Sequence, residues 1–213
     1  MNSNKELIAS MIANGALRSP QIIEAFEKID RKYFIPESFQ DHIYIDRPLP
    51  IGKDQTISQP STVAFMLEQL QPQKGDKILD IGSGSGWTTA LLCQIVGEEG
   101  SVLGLERHDE LVERGRENLR KLHASDHCRI EKAGEELGKP GEQFDKILVS
   151  ASAEEIPEEL FAQLKVGGIL VIPVKNSIFR FKKLSGTKIE AQEFPGFVFV
   201  PLIRKKSTTK EHA

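Results

Sequence analysis

Lys77-Ile-Leu-Asp-Ile-Gly-Ser-Gly-Ser-Gly86 is the stretch that decides the fold. Its apolar start predicts a buried strand, and residues 87–96 predict the helix that follows the glycines. Glycine has no Cβ, so three alternating glycines at a strand-to-helix turn let the backbone approach a nucleotide-like ligand closely. The spacing is G-x-G-x-G, and Trp87 stands where the dinucleotide fingerprint G-x-G-x-x-G needs its last small residue.

An acidic residue closes the next predicted strand. Glu106 ends the apolar segment 101–106, about 20 residues beyond the glycines, where such folds place an acid that accepts hydrogen bonds from both ribose hydroxyls. A carboxylate there disfavours a 2′-phosphate, which makes NADP a poor candidate. Together with the glycine spacing, Glu106 favours S-adenosylmethionine over NAD. The plainer alternative is a glycine-rich turn with a solvated strand-end glutamate.

Strands and helices alternate along the rest of the chain. Strands are predicted at 77–81, 101–106, 128–132, 144–149 and 168–174, and helices at 87–96, 109–122 and 157–164. This alternation predicts an α/β fold with a doubly wound, mainly parallel, Rossmann-like sheet. Residues 179–184 and 197–200 predict a closing antiparallel pair of strands.

The N-terminal third predicts helices and one long loop. Helices are expected at 5–14, from the cap Ser19 with Pro20 to about Ile29, and at 61–70. Residues 31–59 predict a long ordered loop, and a loop of that length inside a compact domain is usually functional. We expect a single domain over 1–213: helices and active-site loop at 1–60, cofactor-binding core at 61–203, and a flexible basic tail at 204–213.

Composition excludes several classes of protein. The chain has 213 residues, 39% of them hydrophobic and 28% charged, with a formal net charge of −3. No apolar run reaches the ~18 residues that cross a bilayer, and without a basic balance nucleic acid is not an expected partner. Cys93 and Cys128 allow one pair at most and form no disulfide framework, which agrees with a cytoplasmic protein, and Cys93 is predicted to be a core residue. No cluster of His and Cys has metal-ligand spacing, so we expect no metal. We also expect a monomer.

A second motif is more specific than the glycine loop. It reads Arg47-Pro-Leu-Pro-Ile-Gly-Lys-Asp-Gln-Thr-Ile-Ser-Gln-Pro60, and together with residues 80–86 it closely resembles the protein-L-isoaspartate O-methyltransferase family. Further matches follow in the family's order over nearly the whole chain, among them Phe144-Asp-Lys-Ile147 and Leu170-Val-Ile-Pro-Val174. The resemblance implies methyl transfer from S-adenosylmethionine to the α-carboxyl of L-isoaspartyl residues in damaged proteins, with S-adenosyl-L-homocysteine as product.

The resemblance also implies a set of site residues. Ser58 matches the family's active-site serine, although a turn or helix-cap serine is the alternative at this position. Ser83 and the loop amides are expected at the amino-acid part of the cofactor, and Glu106 at its ribose. The expected cofactor-binding residues are Thr56, Ile57, Ser58, Asp80, Gly82, Ser83, Gly84, Gly86, Glu106 and Glu135.

Three positions depart from the family's pattern. Ser61 stands where histidine is usual, and Ile203 stands where a threonine is frequent. Ala133-Gly-Glu135 replaces a Gly-Asp-Gly element near the adenine, so Glu135 either substitutes for that aspartate or is an exposed helix-start carboxylate. Two alternatives therefore stay open, a methyltransferase of the same scaffold with another acceptor and a non-catalytic cofactor-binding relative. A hydrolase fits poorly because the nucleophile elbow is missing.

Overall fold

The computed structural model describes residues 3–122 and 127–203, so the predicted tail at 204–213 lies outside the described residues. The chain begins with helices α1 (Asn4–Ala13) and α2 (Pro20–Lys28), and α3 spans Pro60–Leu70. Ser19 precedes α2 as predicted, but its hydroxyl caps no amide of the helix. It donates instead to Glu68 Oε2 at 2.7 Å, because α3 packs that carboxylate against the start of α2.

The segment between α2 and α3 is more structured than the predicted loop at 31–59. It contains two short 3₁₀ helices, Arg31–Phe34 and Glu37–His42, followed by the antiparallel strands β1 (Leu49–Gly52) and β2 (Gln55–Ile57). Lys53 and Asp54 make the turn with φ of 55° and 56°, the left-handed conformation that two-residue hairpins require. The proline-rich sequence hid this hairpin, since β1 carries Pro50 on a strand that pairs on one side only.

Seven further strands form the main sheet, in the order β5-β4-β3-β6-β7-β8-β9. Their bounds are β3 Lys77–Ile81, β4 Ser101–Glu106, β5 Cys128–Lys132, β6 Phe144–Val149, β7 Leu164–Val174, β8 Ser177–Lys183 and β9 Ile189–Pro195. Strands β3 to β7 pair in parallel, and β8 and β9 add antiparallel pairs at one edge. This is the Rossmann-like, mainly parallel sheet that the alternation of elements predicts.

The helices that follow the strands cover the sheet unequally. Helices α4 (Trp87–Val96) and α5 (Asp109–Lys121) share one core with α1, α2 and α3. The opposite core contains the short α6 (Glu159–Ala162) together with apolar side chains of β3, β4, β6 and β7. Both faces of the central strands are buried, which explains why β3 and β4 read as nearly continuous apolar runs.

Two expectations near the C-terminus are wrong in position. The partner of β8 is β9 at Ile189–Pro195, whereas residues 197–200 form no strand. The β9 strand is exposed at six of its seven residues, so it lacks the apolar pattern that marks a buried strand. Helix α6 has four residues where eight were predicted, because β7 begins early, at Leu164.

Cys93 is a buried core residue, as expected, and the two cysteines form the one pair that the sequence allows. Cys93 in α4 and Cys128 in β5 form a disulfide across 35 positions of sequence, because helix and strand bring their Cα atoms to 6.0 Å. His127 lies beside them, and the three possible ligand atoms fall within 4.8 Å of one another. Metal ligation requires thiolates, so the bonded sulfurs are not available as ligands.

None of the helices within residues 3–122 and 127–203 is long and apolar enough to span a bilayer.

Candidate active site

The strand order reverses at β3, and the site lies at that point. From β3 the chain runs outward through β4 to β5, then returns to place β6 on the other side of β3. A crevice therefore opens at the carboxyl ends of β3 and β6, where open α/β sheets bind ligands. Gly82 follows β3 and Ser150 follows β6, and both line one pocket.

We call residues 80–87 the glycine wall of this pocket. Gly82, Gly84 and Gly86 all have positive φ, between 55° and 89°. At Gly86 a Cβ would also lie 3.0 Å from Ile130 Cδ1 and 3.2 Å from Gly115 Cα. A side chain there would have to move backbone as well as adopt a strained φ, so the loop needs glycine at Gly86 for packing and for conformation.

Glu106 holds the glycine wall to the end of β4. Its carboxylate accepts from Gly84 N at 3.0 Å through Oε2 and from His108 N at 2.9 Å through Oε1. The side chain is 4% exposed, and the two amides hold it at the carboxyl end of its strand. The predicted ribose-binding acid is therefore already oriented by backbone donors, one of them in the glycine loop.

Asp80 is the second buried acid of the glycine wall. Thr89 Oγ1 donates to Asp80 Oδ2 at 2.6 Å. Burial raises the pKa of Asp80 to about 7, the bond from Thr89 opposes the rise, and the negative charge of Glu106 adds to it. Asp80 therefore changes its charge near neutral pH, two residues before Gly82 of the glycine loop.

Three polar atoms test whether a cofactor fits here. Asp80 Oδ1, Ser83 Oγ and His108 Nε2 are buried without a hydrogen-bond partner within the described residues. Orphaned buried polar atoms are costly and rare, and an absent ligand is one ordinary reason for them. Asp80 lies near the end of β3, Ser83 in the loop after it and His108 in the turn after β4, so the residues fit a polar ligand with cationic and hydroxyl groups.

The opposite side of the pocket is the hairpin wall, residues 49–58. Ile51, Thr56, Ile57 and Ser58 line the pocket from this side. Ile51 lies directly over the glycine loop, since a Cβ on Gly84 would be 3.1 Å from Ile51 Cδ1. The two walls therefore meet at Ile51 and Gly84.

Side chains from elsewhere hold the hairpin wall in place. Arg114 in α5 donates to Ile51 O at 2.6 Å. Lys53 Nζ at the hairpin turn lies 2.6 Å from Glu110 Oε1. This ion pair is exposed and contributes little to stability. Arg31 donates to Ser58 O at 3.1 Å from the base of the wall.

Asp46 fixes the residues that follow Ser58. It accepts from Ser61 N at 2.9 Å and from Ser61 Oγ at 2.7 Å, and Gln59 Nε2 donates to it at 3.3 Å. Ser61, which stands where the family usually has histidine, is thus bonded to Asp46 through its amide and its hydroxyl.

The structure brings most predicted site residues together. Thr56, Ile57, Ser58, Gly82, Ser83 and Gly84 line one pocket. Gly86, Asp80 and Glu106 do not line it but hold the loop that does, through the contacts given above. Glu135 is exposed beyond the end of β5, and Ile203 is exposed as well, so their roles stay predictions.

Several residues at the site were not among the predicted site residues. Trp87, Thr88 and Ser150 line the pocket, and Arg31 and Arg114 hold its hairpin wall. Trp87 and Thr88 could have been found because they follow the glycines directly. Arg31 and Arg114 reach their acceptors only through long-range folding, at separations of 27 and 63 residues.

The arrangement suits binding and orientation of a polar ligand. The pocket has backbone amides, hydroxyls and one tryptophan, and no histidine or cysteine is among its lining residues. The two acids behind the glycine loop, Asp80 and Glu106, are bonded to Thr89 Oγ1 and to Gly84 N. The walls therefore provide amides and hydroxyls that can bind and orient a polar ligand.

Comparison with known proteins agrees with this geometry. The family model described as Protein-L-isoaspartate(D-aspartate) O-methyltransferase matches residues 2–207. A relative from Ignicoccus hospitalis, named protein-L-isoaspartate O-methyltransferase, is 40% identical over 95% of this chain and 98% of its own length. One of the same name from Flavobacterium psychrophilum is 42% identical, over 94% of each chain.

A solved structure is similar over the whole fold. It is a chain from Plasmodium falciparum, assigned as a protein-L-isoaspartate O-methyltransferase and crystallised in complex with S-adenosyl-L-homocysteine. It matches with a TM-score of 0.87 and 28% identity, over 96% of this chain and 100% of the other.

Proposed function

Because this chain belongs to the protein-L-isoaspartate(D-aspartate) O-methyltransferase family, we propose that it methylates the α-carboxyl of L-isoaspartyl residues in damaged proteins. S-Adenosylmethionine is the methyl donor and S-adenosyl-L-homocysteine the product. The observation that supports this most directly is that Ser58 of the hairpin wall and Ser83 of the glycine wall line the same pocket. In this proposal the glycine wall binds the methyl donor and the hairpin wall positions the acceptor.

The acceptor explains why the reaction does not require a general base. A carboxyl group with an ordinary pKa of about 4 is ionised at neutral pH and is already a nucleophile. S-Adenosylmethionine supplies an electrophilic methyl group on a sulfonium. What this chain must contribute is in-line placement and exclusion of water, and orientation alone contributes roughly 7–11 kcal/mol to such reactions.

The glycine wall holds the donor in this proposal. Glu106 accepts from the ribose hydroxyls, and the amides and hydroxyl of the loop at Ser83 bind the amino-acid part. Asp80, whose Oδ1 has no partner in the described structure, accepts from the ammonium group. Glu135 is the candidate for the adenine, a role that rests on its place in the sequence alone.

Ser58 is the proposed catalytic residue on the hairpin wall. Its hydroxyl donates to the attacking carboxylate or positions the methyl group beside it. Its carbonyl is held by Arg31, so the residue has a fixed backbone at the pocket edge. The alternative for Ser58 is a helix cap. The N-cap residue of α3 is Gln59, one residue after Ser58, and its side chain makes no cap hydrogen bond.

The methyl ester is the start of the repair. Attack of the next backbone nitrogen on the ester carbonyl expels methanol and closes a succinimide, and water then opens the ring partly to normal aspartate. No residue of the chain is required for either step.

We extend the proposal to the setting of the enzyme. It acts as a cytoplasmic, single-domain monomer on damaged proteins, without nucleic acid or membrane, which agrees with its acidic balance and with a donor that is a metabolite of the cell interior. The Cys93–Cys128 disulfide is unusual for that compartment. Thiol labelling of the protein in fresh lysate would report the state of the pair.

Two peptides that differ only in one linkage test the activity. Labelled S-adenosylmethionine is offered with an isoaspartyl peptide and with the matching aspartyl peptide. We expect label on the isoaspartyl peptide alone, released as methanol in mild base. Transfer to another acceptor would support the alternative methyltransferase, and cofactor binding without any transfer would support the non-catalytic relative; either result overturns the proposal.

A further inference from the structure

Arg31 is a fully buried cation at the base of the hairpin wall, and no sequence motif predicts a function for it. Its side chain is 0% exposed. Buried arginines are ordinarily paired with carboxylates, because an isolated buried charge is costly. Arg31 instead donates to four backbone carbonyls, and Asp46 acts on it through charge without a hydrogen bond.

The four acceptors span the segment that ends at Ser58. Nη1 donates to Ile43 O at 2.8 Å and to Ile45 O at 3.3 Å. Nη2 donates to Arg47 O at 3.0 Å and to Ser58 O at 3.1 Å. One planar guanidinium thus joins the residues before the hairpin to the residue after it. Lysine could not reproduce this pattern, since its three donors leave from a single nitrogen.

The same guanidinium also contacts the glycine wall. Its carbon lies 5.4 Å from the centroid of the Trp87 ring, and Trp87 lines the pocket as the first residue of α4. Trp87 is itself held by Phe26, whose ring lies edge-on at 5.5 Å, and by a bond of 3.4 Å from Nε1 to Ile29 O. Arg31 therefore contacts both walls of the pocket.

We infer that Arg31 is a positioning residue for methyl transfer, which sets the distance between Ser58 on one wall and Trp87 on the other. The inference rests on the proposed function for its kinetic consequence. Arg31 does not line the pocket and acts through the Ser58 carbonyl and the Trp87 ring. Its effect falls on the geometry of the reacting groups, and a displacement of 1 Å in such a site can reduce rates by about 10²-fold.

The positive charge of Arg31 also supports binding of a carboxylate acceptor. Burial lowers the pKa of Arg31 to about 10, with Asp46 opposing the change, so the side chain remains charged at neutral pH. A positive charge behind the pocket, shielded from water, favours an acceptor that carries a carboxylate.

Lys183 provides a matched control for removing a buried cation. It is 9% exposed on β8, and Nζ donates to Phe161 O and Leu164 O at 2.7 Å each. Like Arg31 it is a buried cation bonded to carbonyls, and neither it nor its acceptors line the pocket. Lys183→Met should therefore lower stability without changing the kinetic constants of the folded enzyme.

The experiment compares Arg31→Met, Arg31→Lys and Lys183→Met with the parent protein. Circular dichroism sets a temperature at which each is folded, calorimetry gives the Kd of S-adenosylhomocysteine, and labelled methyl transfer to the isoaspartyl peptide gives kcat and KM. We expect kcat of Arg31→Met to fall at least about tenfold, with that Kd within about threefold of the parent value. Arg31→Lys should be intermediate, and it carries the test if Arg31→Met does not fold.

Trp87 supplies a readout that does not depend on activity, because it is the only tryptophan of the chain. Acrylamide should quench its fluorescence more in the Arg31 variants than in the parent or in Lys183→Met. Unchanged kcat and unchanged quenching in a folded Arg31 variant would overturn the inference. If the parent protein methylates no isoaspartyl peptide, the proposed function fails, and unchanged quenching alone still overturns the positioning role.

Discussion

The glycine wall and the hairpin wall face each other across one pocket, but different interactions hold them. The glycine wall continues strand β3, and two carboxylates hold it, Asp80 through Thr89 Oγ1 and Glu106 at the end of β4 through Gly84 N. The hairpin wall pairs with no strand of the main sheet and is fixed by Arg31, Arg114 and Asp46. The glycine wall is thus a direct continuation of the main sheet, whereas the hairpin wall is a separate two-stranded unit held in place by a few side-chain hydrogen bonds.

This difference predicts a division of labour. A wall built on parallel strands is rigid, and it suits the invariant chemistry of the donor. A hairpin held by single side chains is easily displaced, and its residues should affect turnover more than affinity for the donor. The following predictions test this contrast, from the largest expected effect to the smallest.

Loss of the Cys93–Cys128 disulfide is expected to have the largest effect, a fall in the free energy of unfolding. It closes a loop of 35 residues between α4 and β5, for which chain entropy predicts about 3–4 kcal/mol. Cys128 lies two residues before Ile130, which packs against Gly86. Urea unfolding of the parent with and without reductant should show this loss, and Cys93→Ser with Cys128→Ser should show it without reductant. Equal midpoints in both redox states would contradict it.

Ser58→Ala tests the hairpin wall. Loss of one preorganised donor at the reacting group typically lowers kcat by about 10²-fold, and we expect a loss of this order. Affinity for S-adenosylhomocysteine and the melting temperature should remain near the parent values. Ser185→Ala, in the turn between β8 and β9, is the control for loss of a hydroxyl. A Ser58→Ala enzyme with parent kcat would remove Ser58 from the catalytic role.

Glu106→Gln tests the glycine wall. The variant keeps the size of the side chain but loses charge-assisted bonds to the ribose and to Gly84 N, which should weaken binding of S-adenosylhomocysteine by about 1–3 kcal/mol. Calorimetry measures the loss. Glu113→Gln, an exposed position on α5, is the matched control. If affinity survives and only kcat falls, the division of labour between the walls is wrong.

Asp80 predicts how the glycine wall responds to pH. Its pKa in the folded state is about 7, above its unfolded value of 3.8, so the folded protein keeps a proton that the unfolded chain loses. The stability contributed by Asp80 is therefore fully present below pH 3.8 and is lost as pH rises through about 7.

Ligand binding should have the opposite dependence on pH. If the ammonium of the ligand requires ionised Asp80, affinity for S-adenosylhomocysteine should rise about tenfold from pH 6 to pH 8. Titrations at both pH values measure this change, and Asp80→Asn should bind more weakly with a flat profile. A parent protein whose affinity does not change would contradict the assignment of Asp80.

The same contrast between walls explains what the sequence could predict. Strands β3 to β6 appear at the predicted residues because buried parallel strands leave apolar runs, and the glycine loop and Glu106 follow from strand ends. The resemblance to the family located Ser58, Thr56 and Ile57 in the pocket. These signals are all local in sequence.

Features that depend on distant contacts were missed. The hairpin lies within a segment that its prolines mark as loop, and the burial of Arg31 arises from carbonyls 12 to 27 residues away. The Cys93–Cys128 bond depends on how α4 packs against β5, which spacing does not reveal. Strand β9 was not predicted because most of its residues are exposed and it lacks an apolar pattern.

Single-turnover methyl transfer at saturating labelled S-adenosylmethionine tests the division of labour most directly. The isoaspartyl peptide is mixed with parent, Glu106→Gln or Ser58→Ala protein, each saturated with donor at its own Kd. We predict that Glu106→Gln transfers label near the parent rate once saturated, whereas Ser58→Ala stays slow at every donor concentration. A saturated Glu106→Gln as slow as Ser58→Ala, or a Ser58→Ala at the parent rate, would contradict the account.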